Sequence, residues 1–408
     1  MSEQGERATF LEEEFGAHNY KPLPVVLTRG EGCWVWDVEG KSYLDMMGAY
    51  SAVSHGHAHP RIVARLTQQA NRLSVVSRAY HTDQLGPFLQ KACQLTGMER
   101  ALPMNTGAEA VETALKAARK WAYKVKGVPE DKAEIIVCRG NFHGRTLTVI
   151  SMSSEPQYRD GFGPFTPGFK LIPYGDSAAL EKAITPNTAA FLVEPIQGEA
   201  GIVLPPEGYL KACETLCRRH NVLLICDEIQ TGLGRTGKLL ASMHESVKPD
   251  AITLGKALGG GILPVSLFMA KKEVMDVFKP GDHGSTFGGN PLACAVGLEA
   301  LSVLIEEKLI ENSAVLGAYF LEELKKIACP AVKSIRGKGL FIGVEFDLTM
   351  ITAREVCLRL MKEGVLSKET HETVVRFAPA LIITRELIDL AVIKIKKVFE
   401  EIAHEKRK

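Results

Sequence analysis

Residues 222–227 read VLLICD and residues 252–261 read ITLGKALGGG. Each is a short apolar run that ends beside one charged group, Asp227 in the first and Lys256 in the second. Apolar residues on consecutive positions, rather than in alternation, mark strands covered on both faces, as in a parallel sheet packed between helices. Ligands of such sheets gather at the carboxyl ends of the strands, so one ligand is positioned to reach both groups. A lysine is ordinarily a solvated surface charge, but apolar flanks on both sides of Lys256 fit that reading poorly. Desolvation favours the neutral amine and suits a lysine to Schiff-base chemistry. Asp227 either caps the turn after its strand or keeps the ring nitrogen of a bound cofactor protonated.

Outward from these two runs, the middle of the chain alternates apolar runs with helical patterns. Residues 135–138, 147–152, 191–194, 251–254 and 265–270 read as further strands, which predicts an α/β domain with a mostly parallel sheet. Residues 108–126 carry Ala108, Val111, Leu115, Ala118 and Ala122 on one stripe, with Asn105 or Thr106 as cap, Glu109 and Glu112 in the first turns and Gly127 past the end. The motif NTGAEA (105–110) opens this helix. Free backbone N–H groups and the positive end of the helix dipole suit a phosphate there, although a well-capped helix alone would read the same way. From about residue 301 the texture changes to amphipathic helices at 301–308, 316–327 and 387–402 with strands at 340–346 and 374–377. Residues 25–27, 33–37 and 42–43 predict a β-meander near the amino terminus. The division read from this is a segment at 1–50, a large domain at 51–305 and a smaller α+β domain at 306–408.

Composition narrows the class. Lys plus Arg number 49 against 48 for Asp plus Glu, a net charge of +1, so no global field draws nucleic acid or an anionic membrane. Nine scattered cysteines, several inside apolar runs, point to a reducing compartment rather than a disulfide framework. The first residues are acidic, with neither a signal core nor an arginine-rich leader, which predicts a cytoplasmic protein, or the mitochondrial matrix if the chain is a trimmed mature form. The apolar region 252–270 is broken by Lys256, three glycines and Pro264 and is no membrane span.

NTGAEAVETALKAARKW (105–121), GNFHGRT (140–146), VEPIQGEAG (193–201), LLICDEIQTGLGRTGK (223–238), LGKALGGGILPVS (254–266) and HGSTFGGNPLACAV (283–296), in that order, resemble the class III aminotransferases that use pyridoxal 5′-phosphate (PLP). The resemblance covers nearly the whole chain. It implies the fold type I architecture, an α/β large domain with a mostly parallel seven-stranded sheet plus a smaller α+β C-terminal domain, and a homodimer with active sites shared between subunits. It implies that Lys256 carries the cofactor covalently, Asp227 pairs with its ring nitrogen, Gln230 bonds its phenolic oxygen and Phe142 stacks on the ring. Gly107 and Ala108 would hold the phosphate, with Ser285 and Thr286 from a second subunit. His143 departs from the pattern, since aromatic or small residues are more usual beside that phenylalanine.

AHNYKPLPVVLTRGEG (17–32), WDVEGKSYLD (36–45) and GAYSAVSHGHAHP (48–60) resemble the ornithine-specific branch of the family. In that branch the tyrosines matching Tyr20 and Tyr50 line the substrate pocket and the arginine matching Arg145 binds the α-carboxylate of L-ornithine. Glu199 and Arg376, the latter in VVRFAPAL (374–381), are expected to form a switch, paired for ornithine and parted when 2-oxoglutarate or glutamate brings its own carboxylate. Acetylornithine or GABA as amino donor is the alternative within the family, and a non-catalytic binding protein of the same fold is the alternative outside it. Retention of Lys256, Asp227 and Gln230 speaks against the latter.

Three further patterns are set aside. GLGRTG at 232–237 matches a dinucleotide fingerprint, but polar residues 228–231 part it from the strand and no helix start follows. His55, His57 and His59 in HGHAHP fit a turn better than a metal site. Cys213, Cys217 and His220 share a helical face but lack a fourth ligand, so packing is the better reading.

Overall fold

Strands with both faces apolar can be satisfied only between two layers of helix, and that arrangement surrounds the central sheet. A computed structural model describes residues 2–405. The central sheet has seven strands: β1 (Arg100–Met104), β2 (Glu134–Cys138), β3 (Phe169–Ile172), β4 (Thr188–Val193), β5 (Leu223–Asp227), β6 (Ala251–Leu254) and β7 (Ser266–Ala270). Their spatial order is β1-β7-β6-β5-β4-β2-β3. Only β7 runs against its neighbours, pairing antiparallel with both β1 and β6. Along each strand the buried residues divide between two cores. Ile135, Val137, Leu192, Leu223 and Ile225 pack with helix α1 (Gly107–Trp121), which buries Val111, Ala114, Leu115 and Ala118. Ile136, Phe191, Val193, Leu224 and Cys226 face the other side, where the helix Tyr209–Arg219 packs Leu210, Cys213 and Cys217 against them.

Two of the seven strands escaped the sequence, and both are edges. β1 contains Pro103, which a central strand would not tolerate but an edge strand does, and β3 is short and only partly buried. The expectation of a strand at 147–152 is corrected: Leu147–Ser151 is a helix preceded by extended Thr146. Its β-branched residues gave a strand-like run, but only Val149, Ile150 and Ser151 turn inward, one face of a helical turn. The helix expected at 108–126 is α-helical to Trp121, continues as a π-turn over Ala122–Lys126 and stops at left-handed Gly127.

Beyond the sheet, Val332–Gly337, Ile342–Phe346, Val374–Phe377 and Lys368–Thr370 form a four-stranded antiparallel sheet, with Leu309–Lys325, Ala353–Lys362 and Arg385–Glu405 as its helices. The meander Leu27–Glu31, Trp34–Asp37, Ser42–Asp45 is completed by Val365–Leu366, which pairs parallel with its third strand. Among the described residues no helix is long and apolar enough to cross a membrane.

Arg235, in the rejected dinucleotide lookalike, is fully buried, and no carboxylate of the described residues forms an ion pair with it, although the charge of Asp45 acts on it. Its guanidinium donates to the carbonyls of Leu340 at 2.8 Å and Pro379 at 2.6 Å and to the Ser54 hydroxyl at 2.9 Å. The loop after β5 is thereby bolted to the small sheet and to the segment after Tyr50. Arg235→Ala should cost about 3 kcal/mol in urea unfolding, because several buried acceptors lose their donor at once. A loss below about 1 kcal/mol would mean that those carbonyls find other donors.

Candidate active site

The carboxyl ends of β5 and β6 open into a cavity of about 190 Å³ lined by Gly107, Ala108, Phe142, His143, Glu194, Asp227, Gln230 and Lys256 among others. Lys256 follows β6 after one glycine and holds a left-handed φ of +47°. A non-glycine residue in that region is strained, and such strain collects at functional sites. Lys256 is half-buried at the cavity wall, and desolvation holds its pKa below the usual lysine value against the opposing pull of Glu199 and Asp227. Asp227 is the last residue of β5. One carboxylate oxygen accepts from the Ile229 amide at 3.1 Å and the Thr253 hydroxyl at 2.9 Å; the other accepts from His143 Nδ1 at 2.6 Å. A carboxylate has about four acceptor positions, so room for one further donor remains on the cavity side.

His143 is thus the partner that orients Asp227. Burial works against its charged form, but the bond to Asp227 and that residue's charge prevail, and its pKa is raised. Its Nε2 is buried without a hydrogen-bond partner. Glu194 stands nearby with a pKa pushed up to about 7 by burial, moderated by His143. Its two oxygens accept the amides of Phe142 at 3.0 Å and Gly198 at 3.3 Å. One carboxylate therefore fixes both the loop that carries Phe142 and the turn that carries Glu199.

At the phosphate end, Thr106 caps α1 in a reciprocal box with Glu109, whose carboxylate accepts the Thr106 amide at 2.7 Å. The amides of Gly107 and Ala108 precede the first intrahelical bond and are free to meet an anion. A side chain at Gly107 would come within 3.0 Å of Ile229, so glycine keeps this floor open.

The second half of the site gathers around Arg376. Its guanidinium is buried and donates to Glu199 at 2.6 Å. Burial raises the Glu199 carboxyl, but Arg376 and Lys256 outweigh it and the net shift is downward. Gln230 donates weakly to Glu199 and to the Tyr50 carbonyl, both at 3.4 Å. Its amide lies so close over Gly198 that a side chain there would sit 1.5 Å from Gln230 Oε1. The Tyr50 ring packs 5.0 Å from the Arg376 guanidinium. Tyr50 belongs to a left-handed turn, Gly48–Ser51, with φ of 54°, 46°, 60° and 76°; such turns cost about 1–2 kcal/mol per non-glycine residue.

Of the residues singled out in the sequence, Gly107, Ala108, Phe142, Asp227, Gln230 and Lys256 line one cavity, and Tyr50, Glu199 and Arg376 adjoin it through Gln230. Arg145 is exposed and lies over the Tyr158 and Phe142 rings. Tyr20 is 77% exposed; Arg354 donates to the adjoining carbonyls of Lys21 at 3.0 Å and Pro22 at 2.6 Å. Ser285 and Thr286 are not among the residues lining their own chain's cavity: Ser285 accepts from Asn105 at 3.0 Å and Thr286 is exposed. His55, His57 and His59 turn to three different partners, the Ala300 carbonyl, Asp45 and Glu307. Glu194, Thr253 and the role of His143 were not found from sequence. Glu194 sits inside VEPIQGEAG, but nothing in one dimension says that a strand-end glutamate will face a histidine.

The class III aminotransferase family model matches residues 15–399. The chain belongs to that family. An ornithine aminotransferase from Geobacillus sp. (strain WCH70) is 61% identical over 389 residues, covering 95% of this chain and 97% of that protein. Ornithine aminotransferase 2 from Staphylococcus aureus (strain N315) is 58% identical over 97% of this chain and 100% of its own. Among solved class III enzymes, the ornithine aminotransferase of Toxoplasma gondii, crystallized with oxidized glutathione and holding PLP at partial occupancy, superposes with a TM-score of 0.98 at 49% identity, covering 99% of this chain and 96% of that one. The acetylornithine aminotransferase of Elizabethkingia anophelis superposes at 0.88, also 49% identical, over 97% and 99%.

Glu194 gives the site a pH signature. A carboxyl whose pKa is raised on folding stabilises the fold most at low pH, and that advantage is lost between its ordinary value of 4.5 and the folded value of about 7. The loss runs at about 1.4 kcal/mol per pH unit. Glu194→Gln has no proton to lose, so in the apoprotein its stability relative to the parent should improve by on the order of 2 kcal/mol between pH 5 and pH 8. Urea unfolding at the two pH values checks this, and an unchanged difference would show that Glu194 is ionised throughout.

Proposed function

We propose that the chain binds PLP and transfers the δ-amino group of L-ornithine to 2-oxoglutarate, giving glutamate 5-semialdehyde and glutamate. The observation that carries this reading is the 2.6 Å pair of Glu199 with buried Arg376. An unpaired arginine at that place would draw an α-carboxylate toward the reacting carbon. Neutralised by Glu199, it admits an amine-bearing carbon with no carboxylate, as the δ end of ornithine presents.

The residues fit the cofactor. The free amides of Gly107 and Ala108 suit its phosphate, the vacant acceptor position of Asp227 suits its ring nitrogen, and the low-pKa amine of Lys256 suits its aldehyde. Bound PLP supplies an electron sink for charge that develops on the substrate carbon. Asp227, held by His143, Thr253 and the Ile229 amide, keeps a positive charge on the ring nitrogen. Gln230 is placed for the phenolic oxygen and Phe142 for the ring face. Lys256 Nζ, its pKa lowered by desolvation, would carry a proton from the reacting carbon of the substrate to the cofactor in one half-reaction and in the opposite sense in the other. Arg145 takes the distant α-carboxylate of ornithine, while Tyr20 and Tyr50 flank the donor. When 2-oxoglutarate enters, its 1-carboxylate displaces Glu199 from Arg376 in a bidentate contact. Ser285 and Thr286, turned away from their own cavity, are assigned to the cavity of a second copy in a homodimer. Small soluble substrates and nine unpaired cysteines fit a cytoplasmic enzyme.

Donor assays with ornithine, acetylornithine and GABA test the substrate, and ornithine should lead in kcat/KM. Equal turnover of acetylornithine would move the reading to that neighbouring activity. Single-turnover rates test the pair itself. A charge-assisted bond is worth roughly 1.5–3 kcal/mol, or about ten- to a hundredfold. Arg376→Ala should slow the 2-oxoglutarate half-reaction by that factor and the ornithine half-reaction far less. Glu199→Ala should shift preference toward α-amino donors such as glutamate. Equal losses in both halves for Arg376→Ala would rule the switch out.

A further inference from the structure

Arg145 is a long exposed side chain, and no carboxylate of the described residues lies within ion-pair distance of it. A free arginine of that kind samples many rotamers, and ordering it on substrate binding would weaken that binding. Here it is not free. Its Cζ lies 3.7 Å from the centre of the Tyr158 ring and 5.5 Å from that of Phe142. The two rings meet edge to face, 5.9 Å apart at 80°, and make an aromatic corner at the edge of the cavity that Phe142 lines. Stacking occupies the faces of a guanidinium and leaves its N–H groups, which point outward in its plane, for a bidentate carboxylate.

Tyr158 is itself anchored. It sits on the short helix Pro156–Arg159. The next residue, Arg159, donates to the Ser151 carbonyl at 2.7 Å and to those of Ile150 and Ser153 at 3.3 and 3.4 Å, and lies over Phe165 at 3.9 Å. The Tyr158 hydroxyl is raised in pKa by burial, moderated by the charge of Arg145.

We propose that Tyr158 is a specificity-determining positioning residue, which holds Arg145 stacked so that donors bearing a carboxylate remote from the reacting amine are preferred over plain diamines. This rests on the reading that Arg145 takes the substrate carboxylate. Tyr158 was not singled out in the sequence; Phe142, the other ring over which Arg145 lies among the described residues, is farther away and already lines the cavity.

The test compares L-ornithine with 1,4-diaminobutane, the same chain without the carboxylate, as donors to the holoenzyme in single-turnover assays. A cation–π contact of this kind is worth about five- to twentyfold. Tyr158→Ala should lower the ornithine-to-diamine ratio of kcat/KM by that factor, chiefly through KM. Tyr158→Phe keeps the ring and should hold the ratio to within about twofold. Calorimetric binding of pentanoate, which has the carboxylate and no amine, should weaken in parallel in Tyr158→Ala. Equal losses for both donors, or an unchanged pentanoate affinity, would overturn the proposal and leave Tyr158 a packing residue. Arg145→Ala separates the two layers of argument. If it collapses the ratio while Tyr158→Ala does not, only the role of Tyr158 falls; if it leaves the ratio intact, the assignment of Arg145 falls and the proposal with it.

Discussion

The architecture turns on holding one lysine amine partly out of water. Desolvation lowers the pKa of Lys256, and a lysine drawn out of water is tolerable only where opposite charges are near enough to limit the cost. Asp227 and Glu199 are those charges, and each needs its own partner: His143 for Asp227, Arg376 for Glu199. The candidate site is therefore a small network in which no member can be removed without stranding another. Such networks are costly when half satisfied. That explains how much ordinary structure is spent on them, including Thr253, the Ile229 amide and the carboxylate of Glu194.

A parallel sheet suits this task because its strands end side by side. β5 and β6 bring Asp227 and Lys256 to one rim, β4 brings Glu194, and the free start of α1 faces the same space. The small sheet contributes Arg376 from across the rim, and Arg235 holds the two bodies in register with a fork of hydrogen bonds to backbone carbonyls. Strain sits where function needs an awkward direction. Lys256 and the Gly48–Ser51 turn both adopt left-handed backbone, and both are braced by buried neighbours.

Two subsites differ in how firmly they are built. The Glu199–Arg376 pair is direct, short and buried, so a ligand must compete with a strong internal partner. Arg145 is exposed and held only by ring faces, so its donors are available without displacing anything. On the proposed reading, in which a remote carboxylate is handled in every turnover and an adjacent one in alternate half-reactions, one arginine stays open to substrate and the other is gated.

Strand character, the order of motifs and the identity of Lys256 and Asp227 were legible in one dimension, because burial on both faces writes continuous apolar runs and a charge at the end of such a run has few innocent explanations. The capped start of α1 was legible for a similar reason: Thr106 and Glu109 interact over three residues, a distance the sequence displays directly. The edge strands β1 and β3 were not, since an edge is defined by which neighbour is missing, and the run at 147–152 was misread because β-branched residues fit a helical turn once one face is covered. His143 and Glu194 lie within quoted motifs, yet what they touch depends on two strand ends, 33 and 84 residues away from Asp227 in the chain, meeting at one rim. Local chemistry and periodicity by themselves determined the central strands of the sheet and singled out the lysine and the carboxylate at their ends. Only the tertiary structure decided which buried charge answers which, because pairing in a low-dielectric interior is set by distance in space and not by separation along the chain.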